Sequence, residues 1–289
     1  MYRMGFFRKL QTNGVLCRLL PLLAFTAFYS FPARAQGNLL VMPRRVVFDG
    51  SFKSQELNLA NTGKDTARYA ISIIDVRMKS DGNFEVISEP DSGQQFAGKF
   101  IRFFPRSVTL GPNESQVIKM QITRQSDMMP GEYRSHIYFR ALPADDVAGP
   151  VAPPVRDSSL SIRLVPVFGI SIPVIIRVGE TTAQINFSGI SFSLIQDSIP
   201  RLSLALSRSG NRSVYGDFAV NFVPAQGKPV VVGRARGIAV YTPNTSRQLQ
   251  LDLARPGGLD YHSGTLQLVY SSAADARYEK YAEAVVPLH

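Results

Sequence analysis

Three histidines, His136, His262 and His289, and one cysteine, Cys17, are the side chains best suited to nucleophilic or metal chemistry in this chain of 289 residues. A catalytic zinc site takes three protein ligands and leaves a fourth position open, but the spacing of these histidines supports no such set. The chain carries no HExxH, GxSxG, P-loop or CxxC pattern that would give them a mechanism. His136 sits in GEYRSHIYFR, where a histidine on a strand face with ordinary hydrogen bonds is expected. His262 precedes a Ser-Gly turn and His289 ends the chain. The acidic residues Glu89, Asp91, Asp145 and Asp146 fall in polar loops and read as solvated charges. Phe100, Phe103 and Phe104 read as core, not as a stacking platform. The expectation is a protein without catalytic machinery, metal or cofactor, whose chemistry is that of binding.

The amino terminus sets the compartment. Arg3, Arg8, Lys9 and Arg18 precede a short apolar run, Leu19 to Phe31, closed by Ala33-Arg34-Ala35, the pattern of a secretory signal cleaved before Gln36. The run is shorter than the roughly 20 residues of a membrane-spanning helix and is interrupted by Pro21, so no stable membrane insertion is expected. Cleavage would remove five of the 32 basic residues and none of the 22 acidic ones, lowering the net charge from +10 to +5. A mild positive balance without a clustered Lys/Arg run argues against nucleic acid as a partner. Cys17 leaves with the signal, so the remaining 254 residues have no disulfide and must be stabilised by packing, although the compartment would permit one. That length suits two domains.

Short apolar runs separated by turn residues fill the rest, and helical periodicity is absent. Strands are expected at Leu39 to Phe48, Gln55 to Ala60, Arg68 to Val76, Phe100 to Phe104, Ser115 to Ile122, Tyr133 to Arg140 and Leu160 to Ile176, a spacing typical of an immunoglobulin-like sandwich. The Pro- and Ala-rich segment Ala141 to Ser158 reads as a mobile connection, and Val178-Gly179-Glu180 as a hinge. Beyond it the pattern repeats at Leu202 to Leu206, Phe218 to Val223, Val230 to Ala235, Ile238 to Tyr241, Gln248 to Leu253, Thr265 to Tyr270 and Tyr281 to Val286, giving a second sandwich. The fold class is therefore all-β, with a signal peptide at 1–35, a first domain at 36–177 and a second at 178–289.

One stretch stands apart. SLSIRLVPVFGISIPVIIR, Ser159 to Arg177, places Leu160, Ile162 and Leu164 on one face with Ser161 and Arg163 on the other, and continues far beyond the usual strand of about 5 to 6 residues. Pro166 and Pro173 cannot donate to a ladder, so part of it should be an edge or bent strand. A long apolar edge must be covered or offered to a partner.

The run Arg45-Val46-Val47-Phe48-Asp49-Gly50, followed by Lys53-Ser54 and Leu57-Asn58-Leu59-Ala60-Asn61, closely resembles the opening of PapD-like periplasmic chaperones of pilus assembly. The resemblance continues through Tyr69 to Asp75, Phe104 to Pro112 with Ser115 to Ile118, and Met129 to Ser135, in matching order and spacing. It implies two immunoglobulin-like domains in an L shape, a periplasmic location, and a pilin-like fimbrial subunit and an outer-membrane usher as partners. It also implies that the last strand of the first domain lends alternating side chains to the incomplete subunit, a form of strand addition, with Leu160, Ile162 and Leu164 in those positions. The family anchors the subunit's terminal carboxylate with an arginine and a lysine. The arginine carries over to Arg45; the lysine's place falls on Ser171 or Gly169, leaving Arg177 as the nearest basic residue for a second anchor. The second domain agrees only in its β pattern and length. A secreted two-domain β-sandwich adhesin or ligand-binding module is the competing expectation, and a hydrolase a distant third.

Overall fold

The computed structural model describes residues 39–123, 125–142, 167–196, 198–274 and 276–288. The expected signal, the segment from 143 and the triplet Leu160, Ile162 and Leu164 lie outside them. The fold is all-β, built as two sandwiches. In the first, one sheet runs β1 (Leu39–Met42), β3 (Ser54–Asn61), β9 (Ser115–Ile122), β7 (Ile101–Phe104), and the facing sheet runs β2 (Val46–Phe48), β11 (Gly169–Val178), β10 (Gly131–Leu142), β4 (Ala67–Ile74), β8 (Ser107–Leu110). Alternating residues from both sheets, among them Leu57, Leu59, Ile118, Met120, Ile137, Phe139, Val174 and Ile176, close the core. Fully burying each such side chain is worth roughly 1.5–3 kcal/mol.

The second sandwich pairs β12 (Ala183–Ile195), β13 (Ile199–Gly210) and β16 (Ser246–Asp252) with a sheet ordered β15 (Val230–Val240), β14 (Val214–Val223), β17 (Thr265–Ser272), β18 (Lys280–Pro287). Its core centres on Leu202, Leu204, Leu206, Phe218, Val220, Leu266, Leu268 and Tyr270. Among the described residues no helix is long and apolar enough to cross a membrane.

Several expected boundaries move, each for a local reason. Leu39 to Phe48 is two strands in different sheets. Leu39 and Val41 are buried on odd positions, Val46 and Phe48 on even ones, so the alternation slips by one residue across Pro43 and Arg44 and the chain changes sheets. The expected break between Ala235 and Ile238 is absent: β15 runs through Gly237, whose φ of +68° follows a shift in register with β14. β12 was not expected at all. Its Ser- and Gly-rich run is half exposed, and a bulge between Ser188 and Ser191 carries Gly189 at φ +58°, a conformation that favours glycine. Phe100 and Phe103 are buried as expected, but Phe104 is 75% exposed, because successive residues of β7 point to opposite faces.

β11 is flanked in two regimes. β10 pairs along its whole length, but β2 pairs only with Val174, Ile175 and Ile176. Among the described residues, 169 to 173 have a strand neighbour on one side alone, and Pro173 falls in this half-open part, as the proline argument requires.

Between β4 and β7 a small hairpin, β5 (Val76–Met78) and β6 (Phe84–Val86), leaves the first sandwich at the expected Asp81-Gly82-Asn83 turn. Met78 packs into the second core, its carbonyl accepts a hydrogen bond from Asn244 Nδ2 at 2.7 Å, and the Ser80 carbonyl accepts from the Gln248 amide at 2.7 Å. Met78→Ala should therefore lower the stability of the protein by about 2–5 kcal/mol, read as a shift in urea midpoint; a loss below about 1 kcal/mol would mean that the hairpin rests on the second sandwich without being part of its core.

Candidate functional site

The parallel register of β2 on β11, Val46 with Val174 and Ile176 with Phe48, decides what faces the second sandwich. Even positions on these strands enter the first core, so odd ones turn outward. Val47 and Ile175 accordingly pack against the second core. Arg45 and Arg177 share their parity and lie on the same outward face. β10 completes the surface, because its register sets Glu132 beside Arg177, Arg134 beside Ile175 and His136 beside Pro173.

Glu132 is the centre of this surface. Its side chain has no solvent exposure and accepts from Arg177 Nε at 3.1 Å, the Ser213 amide at 3.1 Å, the Ser213 hydroxyl in a short contact, and Thr242 Oγ1 at 3.4 Å. A buried carboxylate persists when paired and hydrogen-bonded in this way. The Ser213 hydroxyl in turn accepts from the Thr242 amide at 2.9 Å. One carboxylate from the first sandwich thus gathers donors from its own sheet and from two loops of the second.

Arginines crowd around it. The Arg45 guanidinium lies 5.0 Å from the Tyr215 ring centroid and that of Arg134 4.6 Å from Tyr241, both within cation–π range. Arg134 is buried and donates from Nη2 to the Val76 carbonyl at 3.2 Å. Burial lowers its pKa, as it does for Arg177, where the charges of Arg45 and Arg212 add to the effect. Arg45, before β2, and Arg177, near the end of β11, stand on one outward face, and the charges of both and of Arg212 act on the Tyr281 hydroxyl. Arg45 Nε, Arg134 Nε and Nη1, and Arg247 Nε are buried donors with no hydrogen-bond partner among the described residues. Leaving such a donor unpaired costs about 1–3 kcal/mol, more for a charged group.

The turn that carries Arg212 and Ser213 is tightly held. Arg208 is buried and donates to the carbonyls of Asn244 (2.9 Å), Gly210 (2.8 Å) and Arg212 (3.0 Å). Gly210 has φ +93°, and a Cβ there would lie 2.2 Å from the Thr182 carbonyl, so only glycine fits. Between β12 and the start of β18 lies a cavity of about 260 Å³, lined in part by Gln184, Asn186, Arg212, Lys280 and Tyr281.

His136 departs from expectation. It is 2% exposed, packs edge-on to Phe84 at 5.3 Å and Tyr241 at 6.4 Å, and its Nδ1 has no partner among the described residues. Ordinary hydrogen bonding was expected because the sequence does not reveal that this strand is covered on both faces. Desolvation, with the Arg134 charge beside it, lowers its pKa to about 3. His262 is exposed, with Nδ1 2.6 Å from Asp260, and His289 lies outside the described residues. Among the described residues no group of three or more His, Cys, Asp or Glu is placed to hold a metal. Asp91 is more than a solvated charge: it makes a forked pair with Arg77 at 2.5 and 2.7 Å.

Sequence reasoning missed Glu132, Arg134, Arg212, Ser213 and Tyr241 as site residues. One signal was present: Glu132, Arg134 and His136 stand at i, i+2 and i+4 on an apolar strand, which puts three polar groups on one face.

No family model matches the chain. No curated protein matches it either. Solved structures to which it is similar include the YadV chaperone (12% identity, TM-score 0.43, covering 87% of this chain and 100% of that one) and the Pseudomonas aeruginosa CupB2 chaperone (13% identity, TM-score 0.42, covering 86% and 100%). A third is the CsuC–CsuE chaperone–tip subunit complex of archaic chaperone-usher Csu pili from Acinetobacter baumannii (14% identity, TM-score 0.42, covering 85% and 99%).

Two outcomes follow from the site. Glu132→Ala strips the half-buried guanidinium of Arg177 of its counter-charge and leaves the Ser213 donors unpaired, and should cost about 3 kcal/mol of stability, measured by urea unfolding. His136 stays neutral in the fold down to about pH 3, while the unfolded side chain protonates near 6.5. Below that value the unfolded state binds more protons, so the contribution of His136 is complete above about pH 6.5 and is lost as pH falls toward 3. His136→Phe should flatten the decline in melting temperature over that window; an unchanged profile would assign it to the carboxylates alone.

Proposed function

We propose that this protein is a periplasmic chaperone that holds an incomplete fimbrial subunit by lending it a strand and delivers it to an outer-membrane usher. In this reading 1–35 is the signal peptide, 36–177 the strand-lending domain and 178–289 the second sandwich. Leu160, Ile162 and Leu164 enter the subunit's groove, and Arg45, with Arg177 as the second basic residue on the same face, receives the subunit's terminal carboxylate.

The observation that carries the reading is the fading of cover along β11. Val174 is fully buried and Ile172 is 6% exposed, Ile170 is half-buried, and Phe168, next on the same parity, is 53% exposed. Over the same stretch the outer edge of the strand loses β2 as its neighbour. Core face and ladder therefore run out together while the apolar alternation in the sequence goes on through Leu164, Ile162 and Leu160. If that alternation is extended as a strand, it is suited to completing another sandwich. The sequence resemblance around Arg45 and the placing of Arg45 and Arg177 on one outward face support the same reading. No metal or cofactor has a role in it.

The test sets neighbouring residues against each other. Ile162→Asp should leave the thermal melt nearly unchanged yet abolish co-purification of a pilin-like subunit from the source cell's extract, since a lone carboxylate in an apolar groove has no partner. Ser161→Ala, on the opposite face by period 2, should capture the subunit normally. Unfolding of the free protein by Ile162→Asp would assign that side chain to the protein's own core and favour the adhesin or ligand-binding reading.

A further inference from the structure

The half-open part of β11 carries a glycine that is not left bare. β10 sets Tyr138 opposite Ser171 and Arg140 opposite Gly169, and by parity all four positions belong to the outward face. Gly169, Ser171 and Arg140 are exposed, whereas Tyr138 is half-buried. A Cβ built on Gly169 would lie 2.3 Å from the Tyr138 hydroxyl oxygen, 2.4 Å from Cε2 and 2.5 Å from Cζ. The tip of the ring therefore leans diagonally from β10 onto β11 and occupies the place where a side chain at 169 would begin.

That tip stands next to the free edge. Among the described residues, 169 to 173 have no strand on the side where β2 lies against Val174 to Ile176. A strand added there would set one residue opposite Gly169 on the same face, and side chains paired in this way have Cβ atoms about 4.5–5.5 Å apart. With the ring tip in place of the missing Cβ, the added residue would meet the Tyr138 hydroxyl and not a side chain of β11. Ser171 and Pro173 present side chains of their own, so 169 is the position at which the strand behind reaches across. The hydroxyl forms no hydrogen bond with any described residue. Covering it without a partner would be unfavourable, and the room it takes up leaves little for a long side chain.

We infer that Tyr138 contacts the residue of an incoming subunit strand that lies opposite Gly169, and that it selects a short hydrogen-bonding side chain there: serine, threonine or asparagine. The inference rests on the strand-lending reading above and adds to it a point of side-chain selection on the outward face of β11. Gly169 is the residue that permits the contact, since a Cβ at that position would push the hydroxyl off the strand.

The probe is the pilin-like subunit that co-purifies with the whole mature protein from the source cell, identified by mass spectrometry. Tyr138→p-benzoylphenylalanine should cross-link on irradiation to a single strand of that subunit. Ser72→p-benzoylphenylalanine should not, because Ser72 is exposed opposite Tyr138 on β4, on the side of β10 away from β11. Tyr138→Phe keeps the ring over Gly169 and should speed dissociation of the complex about tenfold, followed by exchange with labelled wild-type protein, while the melting temperature of the free protein stays unchanged. Alanine in place of the cross-linked subunit residue should have the same effect, and the two changes together should cost no more than either alone. If Ile162→Asp abolishes capture while Tyr138→Phe dissociates at the wild-type rate and position 138 yields no cross-link, the inference is wrong and strand lending stands. If the wild-type protein captures no pilin-like subunit, or Ile162→Asp captures it equally well, both are wrong. Cross-linking to a large apolar residue, or a Tyr138→Phe complex as long-lived as the wild type, would overturn the selection assigned to the hydroxyl.

Discussion

The carboxylate of Glu132 is the constraint on which the arrangement of this protein depends. A side chain with no exposure cannot keep its charge unless the lost hydration is replaced, and the replacement comes from Arg177 on the neighbouring strand and from Ser213 and Thr242 across the interface. The apolar contacts of Met78, Val47 and Ile175 with the second core supply non-directional attraction and would tolerate a small slide. The bonds to Glu132 would not, since each depends on a donor at one distance and angle. Breaking such a cluster on one side costs more than the cluster contributes when whole, which makes it a device for holding one geometry rather than for adding stability.

The charges around it do not balance. Arg134, Arg177 and Arg208 all feel the charge of Glu132, and Asp75, whose carboxyl burial pushes up, accepts from Ser135 at 2.5 Å. Aromatic faces at Tyr215 and Tyr241 offset part of the excess, but several guanidinium donors remain buried and unpaired. Arrangement solely for stability would be expected to remove them, because an apolar replacement of similar shape is often neutral or better. The unpaired Arg45 Nε is accounted for if an anion arrives from outside and takes it up.

How much of this could be read from the sequence follows from which patterns are local. Strands buried on one face announce themselves by period 2, so most of the first sandwich was legible. What period 2 cannot reveal is a phase slip, and that is where reading failed at Leu39 to Phe48. Nor does it detect a strand such as β12, whose alternation is diluted by serine and glycine. The site was less legible for a different reason. Glu132 and Ser213 are separated by 81 residues, and Thr242 reaches the same carboxylate from 110 residues away. Such facts exist only after the chain has folded. Arg177, by contrast, could be suspected from its place at the end of the long strand, although the partner that engages it could not.

The two parts of the proposed subunit-binding surface also constrain each other. β11 offers both an edge and an apolar face, and period 2 makes the register of any added strand decisive, since a slip of one residue would turn every apolar side chain to the wrong face. An apolar face alone discriminates poorly between registers two residues apart, because each presents the same alternation. A fixed chain end removes that degeneracy. β2 lies against β11 only at Val174 to Ile176, so Arg45, the residue before β2, stands where the half-open part of β11 begins. A terminus bound there would determine which residue of the incoming strand lies opposite each position of β11, the electrostatic contact selecting the register and the apolar face supplying the affinity.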